Sequence, residues 1–239
     1  MHGLLFNPRA TLHSVPLHDG HECLVVDDAL LDPQAWRDWA VAQRAQFVRP
    51  PYAYPGVELA LPVAAVAQAG EFFAAHIRGR LGGRRTLDVA ARLSLATLQP
   101  HELQTRQWFC HRDSARLAPG QCIVAAVLYL FDDATLGGTS IYRPRRSAEE
   151  TARLVHECST LNDAEFAARH PEITPGYMTE GNAWFERVAS VPARFNRAIF
   201  YDGNLFHGAD LRAPEKLSAD PATGRLTMNG FFTCRRAAA

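Results

Sequence analysis

The chain has 239 residues, 47% of them hydrophobic and 21% charged, which suits one large globular domain or two small ones. Lysine plus arginine and aspartate plus glutamate number 25 each, so the zero formal charge gives no sign of a polyanionic partner, and no nucleic-acid partner is expected. No apolar run reaches the roughly 18–20 residues that span a bilayer, so no membrane association is expected. The first twenty residues lack the pattern of a secretory leader, and the five scattered cysteines without a C-x-x-C suit a reducing cytoplasm, the expected location.

In chain order, Cys23 to Val26 reads as a strand after an irregular N-terminal segment that holds His13, His18 and His21. A helix follows, with Asp32 as its N-cap and Pro33 at the first helical position, where a missing N–H costs nothing. The proline-rich "VRPPYAYPG" reads as a loop, and "PVAAVAQAGEFFAAHIRGRL" as a helix from about Pro62 to Leu81, stopped by Gly82-Gly83. From Arg92 the texture changes to short strands: "RLSLATLQ", "TRQWFCHRD", "CIVAAVLYLF", "GTSIYR", "NAWFERVAS", "RAIFYDGNLF" and "RLTMNGFFTC". Such a series predicts a sandwich or barrel, not βαβ units. Residues 147–170 interrupt it as a polar, helix-prone insertion. The expected organisation is a single α+β domain over 1–239, with an N-terminal strand and supporting helices in 1–90 and a β-rich core in 91–235.

Within "WFCHRD", His111-Arg112-Asp113 has two readings. A kinase catalytic loop demands an Asn about five residues on, a glycine-rich nucleotide loop and a D-F-G, none of which the sequence contains. A metal site demands that His111 and Asp113 project from one strand face, with Arg112 turned away, and that a third ligand come from elsewhere. His207, delivered by the apolar "AIFYDGNLF" beside a glycine, is the leading third ligand. His101 is held in reserve, and His76 reads as a helix-face residue. Two imidazoles and a carboxylate on one face of Fe(II) leave three coordination positions open.

His-x-Asp, "VLYLF", the "GGTS" turn, the distal "HG" of His207-Gly208 and the final "RLTMNG" strand together carry a resemblance. The chain is similar to the Fe(II)- and 2-oxoglutarate-dependent dioxygenases, most closely to their prolyl-hydroxylase-like branch and a bacterial subfamily within it. The resemblance implies a double-stranded β-helix (jelly-roll) core with the N-terminal helices packed on one sheet. It implies Fe(II) held by His111, Asp113 and His207, with 2-oxoglutarate and O2 as co-substrates. Arg225 then falls where the family binds the distal carboxylate of 2-oxoglutarate, with Thr227 beside it and Tyr129 as a further phenol donor. For Tyr129 a plain core role stands as the alternative. The implied reaction is hydroxylation of an unactivated C–H in a small molecule or an amino-acid or peptide side chain, since halogenating members lack the Asp113 carboxylate. A non-catalytic, cupin-like jelly-roll binding protein is the alternative function. Gly137, Gly138 and Thr139 read as turn chemistry and Asp210 as a solvated side chain. Trp108, Arg143, Arg145, Tyr177 and Trp184 stand between entrance and packing roles.

Overall fold

The computed structural model of the chain describes residues 3, 5–113 and 117–237. An N-terminal hairpin pairs β1 (Thr11–Pro16) with β2 (Glu22–Asp27). β1 lies in the segment read as irregular, so His13 is a strand residue; its alternation is weak because the strand is a largely exposed edge that buries no continuous face. The helix α1 (Pro33–Ala42) begins as the sequence predicts, with the Asp32 carboxylate accepting from the Ala35 N–H at 3.0 Å. A further strand, β3 (Gly56–Ala60), follows directly on the proline-rich loop. Gly56 admits it: a Cβ there would lie 2.0 Å from the Leu95 carbonyl oxygen, so only glycine lets the two backbones approach.

The second helix, α2 (Val63–His76), stops short of Leu81, because turns through Gly79 and Gly82 replace its last predicted turn. The next strand, β4 (Gly83–Ala96), starts well before Arg92 and runs across residue 90. Beyond it come β5 (Gln121–Tyr129) and β6 (Thr139–Pro144). The insertion forms α3 (Ala148–Thr160) and α4 (Asp163–Arg169), each opened by a capping box at Ser147 or Asn162. The chain closes with β7 (Phe185–Val191), β8 (Ala198–Asp202), β9 (Phe206–Ala209) and β10 (Arg225–Arg236).

Two expected strands differ in the structure. "TRQWFCHRD" is a short 3-10 turn and a loop that touches a sheet only at His111. "RAIFYDGNLF" is split by a turn in which the Asp202 carboxylate accepts from the Asn204 N–H at 2.9 Å. That Asx turn reverses the chain and carries β9 into the opposite sheet.

The strands form two antiparallel sheets, ordered β1-β2-β8-β5-β10-β4-β3 and β7-β6-β9. Their alternation sorts side chains into layers. Even-numbered residues of β2, β8, β5 and β10, including Leu24, Phe200, Leu128 and Phe232, pack under α1 and α2, where Phe73 stacks on Phe232 at 4.1 Å. Odd-numbered residues such as Val25, Ala125, Tyr129, Ile199 and Tyr201 meet Ile141 and Val191 of the smaller sheet in the space between the sheets. Behind that sheet, Tyr142, Phe185 and Phe206 are covered by Leu154, Cys158 and Phe166 of the inserted helices. The arrangement is a double-stranded β-helix with the N-terminal helices on the larger sheet. All five cysteines are buried thiols, and among the described residues no helix is long and apolar enough to cross a membrane.

Candidate metal centre

His111 and His207 exchange backbone hydrogen bonds in both directions at 2.9 Å, so the His111 segment joins the edge of the three-stranded sheet beside β9. Two residues on, the Asp113 N–H donates to the Gly203 carbonyl at 2.8 Å, tying it to the turn between β8 and β9. These anchors do the work expected of a strand, and bring the side chains at 111 and 113 to one place.

Ligand-type atoms of His111, Asp113 and His207 lie within 4.8 Å of one another, and among the described residues they are the one such group of three or more. The His207 Nε2 is 3.4 Å from Asp113 Oδ2, and the His111 Nε2 is 3.7 Å from Asp113 Oδ1. The His207 Nδ1–H donates to the Leu205 carbonyl at 2.8 Å, which turns Nε2 toward Asp113 and the site. The two imidazole rings are 4.4 Å apart, and Tyr201 stands edge-on to His207 at 4.8 Å.

The carboxylate is the telling group. Asp113 Oδ2 is buried and makes no hydrogen bond among the described residues. An ionised oxygen without a donor is costly unless a cation takes the place of one. Crowding by surrounding protein, then the His207 imidazole, push His111 down to about 4, with Asp113 pulling the other way. The His111 side chain keeps 59% of its surface open, so solvent tempers the crowding effect, but the direction favours the neutral, metal-binding imidazole. Two imidazoles and one carboxylate without a donor are a donor set that fits a divalent transition metal. The opening lies on the His111 side, since the side chains of Asp113 and His207 are 11% and 6% exposed.

The residues expected to hold a co-substrate share the inner face of the larger sheet. Thr227 and Tyr129 are directly opposed across β10 and β5, and Arg225 precedes Thr227 on the same face. Tyr129 is fully buried and its hydroxyl bonds Thr139 Oγ1 at 2.8 Å; burial pushes the phenol up, so it stays protonated. Thr227 Oγ1 reaches the Ser94 carbonyl at 3.4 Å. The buried Arg225 donates from Nε to the carbonyls of Leu136 (3.0 Å) and Gly137 (3.3 Å), and from Nη2 to Gly138 (3.0 Å). Gly137 and Gly138 therefore supply carbonyl oxygens to the arginine as well as a turn.

Other expected placements differ. Asp210 is buried, not solvated: it meets Arg212 at 3.2 Å, Arg187 at 3.7 Å and the Ser190 hydroxyl at 3.2 Å. His101 sits on an exposed turn outside the histidine cluster. Trp108 is a buried packing residue whose indole N–H donates to the Leu103 carbonyl, and Arg143 is an exposed partner of Glu186. Arg112 lies over the Phe206 ring at 4.5 Å, behind the sheet that carries the histidines. Sequence reasoning missed Gly203 and Tyr201. The "DG" after an apolar strand was the available sign of the first, and nothing local marked the second.

The profile of a family described as "Family of unknown function (DUF6445)" matches residues 8–232. No curated protein matches the chain. Among solved structures, HygX from Streptomyces hygroscopicus, with nickel and 2-oxoglutarate bound, is 14% identical with a TM-score of 0.50 over 88% of this chain and 82% of that one. A Pseudomonas putida prolyl-4-hydroxylase is 15% identical, covering 92% and 94% of the two chains with a TM-score of 0.46. At such identities the likeness to HygX establishes the fold.

Proposed function

The chain belongs to the DUF6445 family, and we propose that it is an Fe(II)- and 2-oxoglutarate-dependent oxygenase that hydroxylates a C–H bond of a small molecule or an amino-acid or peptide side chain. The observation that carries this is the convergence of His111, Asp113 and His207, with a buried Asp113 oxygen lacking a donor, at the open end of a double-stranded β-helix. HygX, which shares the fold, was solved with a metal and 2-oxoglutarate bound.

These three side chains would hold the iron, which when bound supplies the oxygen activation that amino-acid side chains cannot. The Leu205 carbonyl holds the His207 ring through Nδ1–H, with Nε2 turned to the site, and the Gly203 carbonyl fixes the backbone that aims Asp113. Tyr201 and Ile199 line the inner wall with apolar surface and limit water there. Tyr129, Thr227 and Arg225 would orient the co-substrate carboxylate from the same sheet face. The exposed side of His111 is the route by which a substrate would approach.

One observation favours the alternative, a binding protein of the same fold without turnover: the Nε and Nη2 donors of Arg225 already serve three carbonyls. Anaerobic addition of Fe(II) and then 2-oxoglutarate separates the two. A weak visible charge-transfer band and succinate release on admitting air are expected of the wild type, and His111→Ala should lose both. A wild type that binds Fe(II) yet gives no band and no succinate refutes the oxygenase, and His111→Ala releasing succinate at the wild-type rate refutes the ligand set.

A further inference from the structure

The inner face of the larger sheet changes character across its width. On β2, β8 and β5 it is apolar and covered by the three-stranded sheet. On β10, β4 and β3 it carries Asn229, Phe231, Arg92, Ser94 and Glu58. The turn of the β1–β2 hairpin lies beside Arg143 of β6 and Glu186 of β7, so the smaller sheet, ordered β7, β6, β9, His111, runs away from β1 and β2 and its His111 end lies toward β10 and β4. Tyr201 is opposite Ala125, which is opposite Phe231. Two strand spacings of about 4.8 Å put Phe231 roughly 10 Å from Tyr201, the width of a small molecule.

Arg92 is the half-buried charge of this polar half that reaches the cleft. Its guanidinium lies over the Phe231 ring at 4.6 Å and the Tyr52 ring at 5.2 Å. Its Nε is 3.2 Å from Glu58 Oε1 but buried and without a hydrogen bond among the described residues. Glu58 takes its hydrogen bonds instead from the hydroxyls of Tyr52 and Ser94. Its side chain is 9% exposed against 27% for Arg92, so a ligand in the cleft meets the guanidinium and not the carboxylate. Arginine flanked by rings presents its edge, a planar fork of donors that matches a carboxylate. Glu58 tempers the local positive charge, which favours a monoanion over a dianionic phosphate.

We infer that Arg92, flanked by Tyr52 and Phe231, is a substrate subsite that binds the carboxylate of a small carboxylic acid whose body lies along Phe231 toward His111. The inference rests on the reading above only in taking the His111 side as the working mouth.

The test uses the twenty N-acetyl amino acids and their primary amides as paired probes, on protein loaded with Ni(II) and saturating 2-oxoglutarate so that Arg225 is not the acceptor. Binding is found by saturation-transfer NMR and quantified by calorimetry. At least one acid should bind tenfold or more tightly than its amide, and Arg92→Gln should bring the two within twofold. If Arg92→Gln does not fold, Arg92→Lys keeps the charge, loses the fork and should lower the acid preference severalfold. The subsite is overturned if no acid binds better than its amide, or if the preference survives the substitution. A separate titration of 2-oxoglutarate onto the Ni(II)-loaded protein tests the co-substrate reading. If that titration fails while the acid preference persists without 2-oxoglutarate, the oxygenase reading falls and the Arg92 subsite stands.

Discussion

Gly203→Ala is a small change that should reach the candidate metal centre through one carboxylate. A Cβ at this position would sit 3.1 Å from Ile123 Cγ2, 3.2 Å from Asp113 Oδ2 and 3.3 Å from Asp113 Cβ, each tighter than ordinary contact. The backbone cannot yield freely, because the Gly203 N–H donates to Ile123 at 2.9 Å and its carbonyl accepts from Asp113 at 2.8 Å. The Asp113 carboxylate must therefore shift by a few tenths of an ångström. Disturbing a group that orients a metal ligand costs about 10–100-fold in affinity, or roughly 1.4–2.7 kcal/mol. The fold should suffer less: overpacking costs about 1–2 kcal/mol, offset by about 0.4–1 kcal/mol from the stiffer unfolded chain. The net change of about 0–1.6 kcal/mol corresponds to a fall in melting temperature of at most roughly 6 °C in a domain of this size. Competition for Fe(II) against a chromogenic chelator under argon measures the first effect, and a metal-free melt the second. An iron affinity within twofold of wild type, in a variant that melts normally, would show that Asp113 is not positioned as a ligand by this turn.

Gly137→Ala should be far more damaging, because Gly137 has φ +79° and an added Cβ would lie 1.7 Å from the Asp210 carbonyl oxygen. A loss of about 3 kcal/mol or more is expected, seen by calorimetry as a fall of roughly 6–12 °C. Asp27→Asn tests a pH-dependent contribution: Arg197 donates from Nε and Nη2 to the two Asp27 oxygens at 2.7 and 3.0 Å, and this pairing holds the carboxyl below its usual range. A carboxyl depressed on folding stabilises the protein fully above its unfolded value of about 3.9 and loses that contribution as pH falls through the folded value. The variant should thus be less stable by about 2 kcal/mol at pH 7, and the gap should close in melts taken at progressively lower pH below about 4. A gap that stays constant with pH would mean that the ion pair is not its source.

Local chemistry in the sequence was enough for several elements. Asp32-Pro33 marks the start of α1, and the polar pattern of 147–170 marks a helical insertion, because caps and periodicity act within a few residues. His-x-Asp with a distal His pointed to three side chains that the fold brings together across a long stretch of chain. The split of "RAIFYDGNLF" was missed although its Asp-Gly-Asn turn was visible, since apolar residues on both sides masked the change of sheet.

Other features have no local signature. Residues 105–113 hold His111 and Asp113 through backbone bonds to His207 and Gly203, so strand propensity was the wrong guide to their placement. The donors of Arg225, on the larger sheet, meet carbonyls of the 136–138 turn that leads into the smaller one, and Asp210, just after β9, meets Arg187 of β7 and Arg212 of the following loop. The sequence by itself therefore determined which side chains suit a metal or a carboxylate, since that is carried by residue type and short spacing. Only the tertiary structure decided which of them are exposed, which are already partnered, and that Arg92 lies on the inner face toward the His111 side. Those properties depend on sheet register and on what covers each face, which no short window of residues encodes.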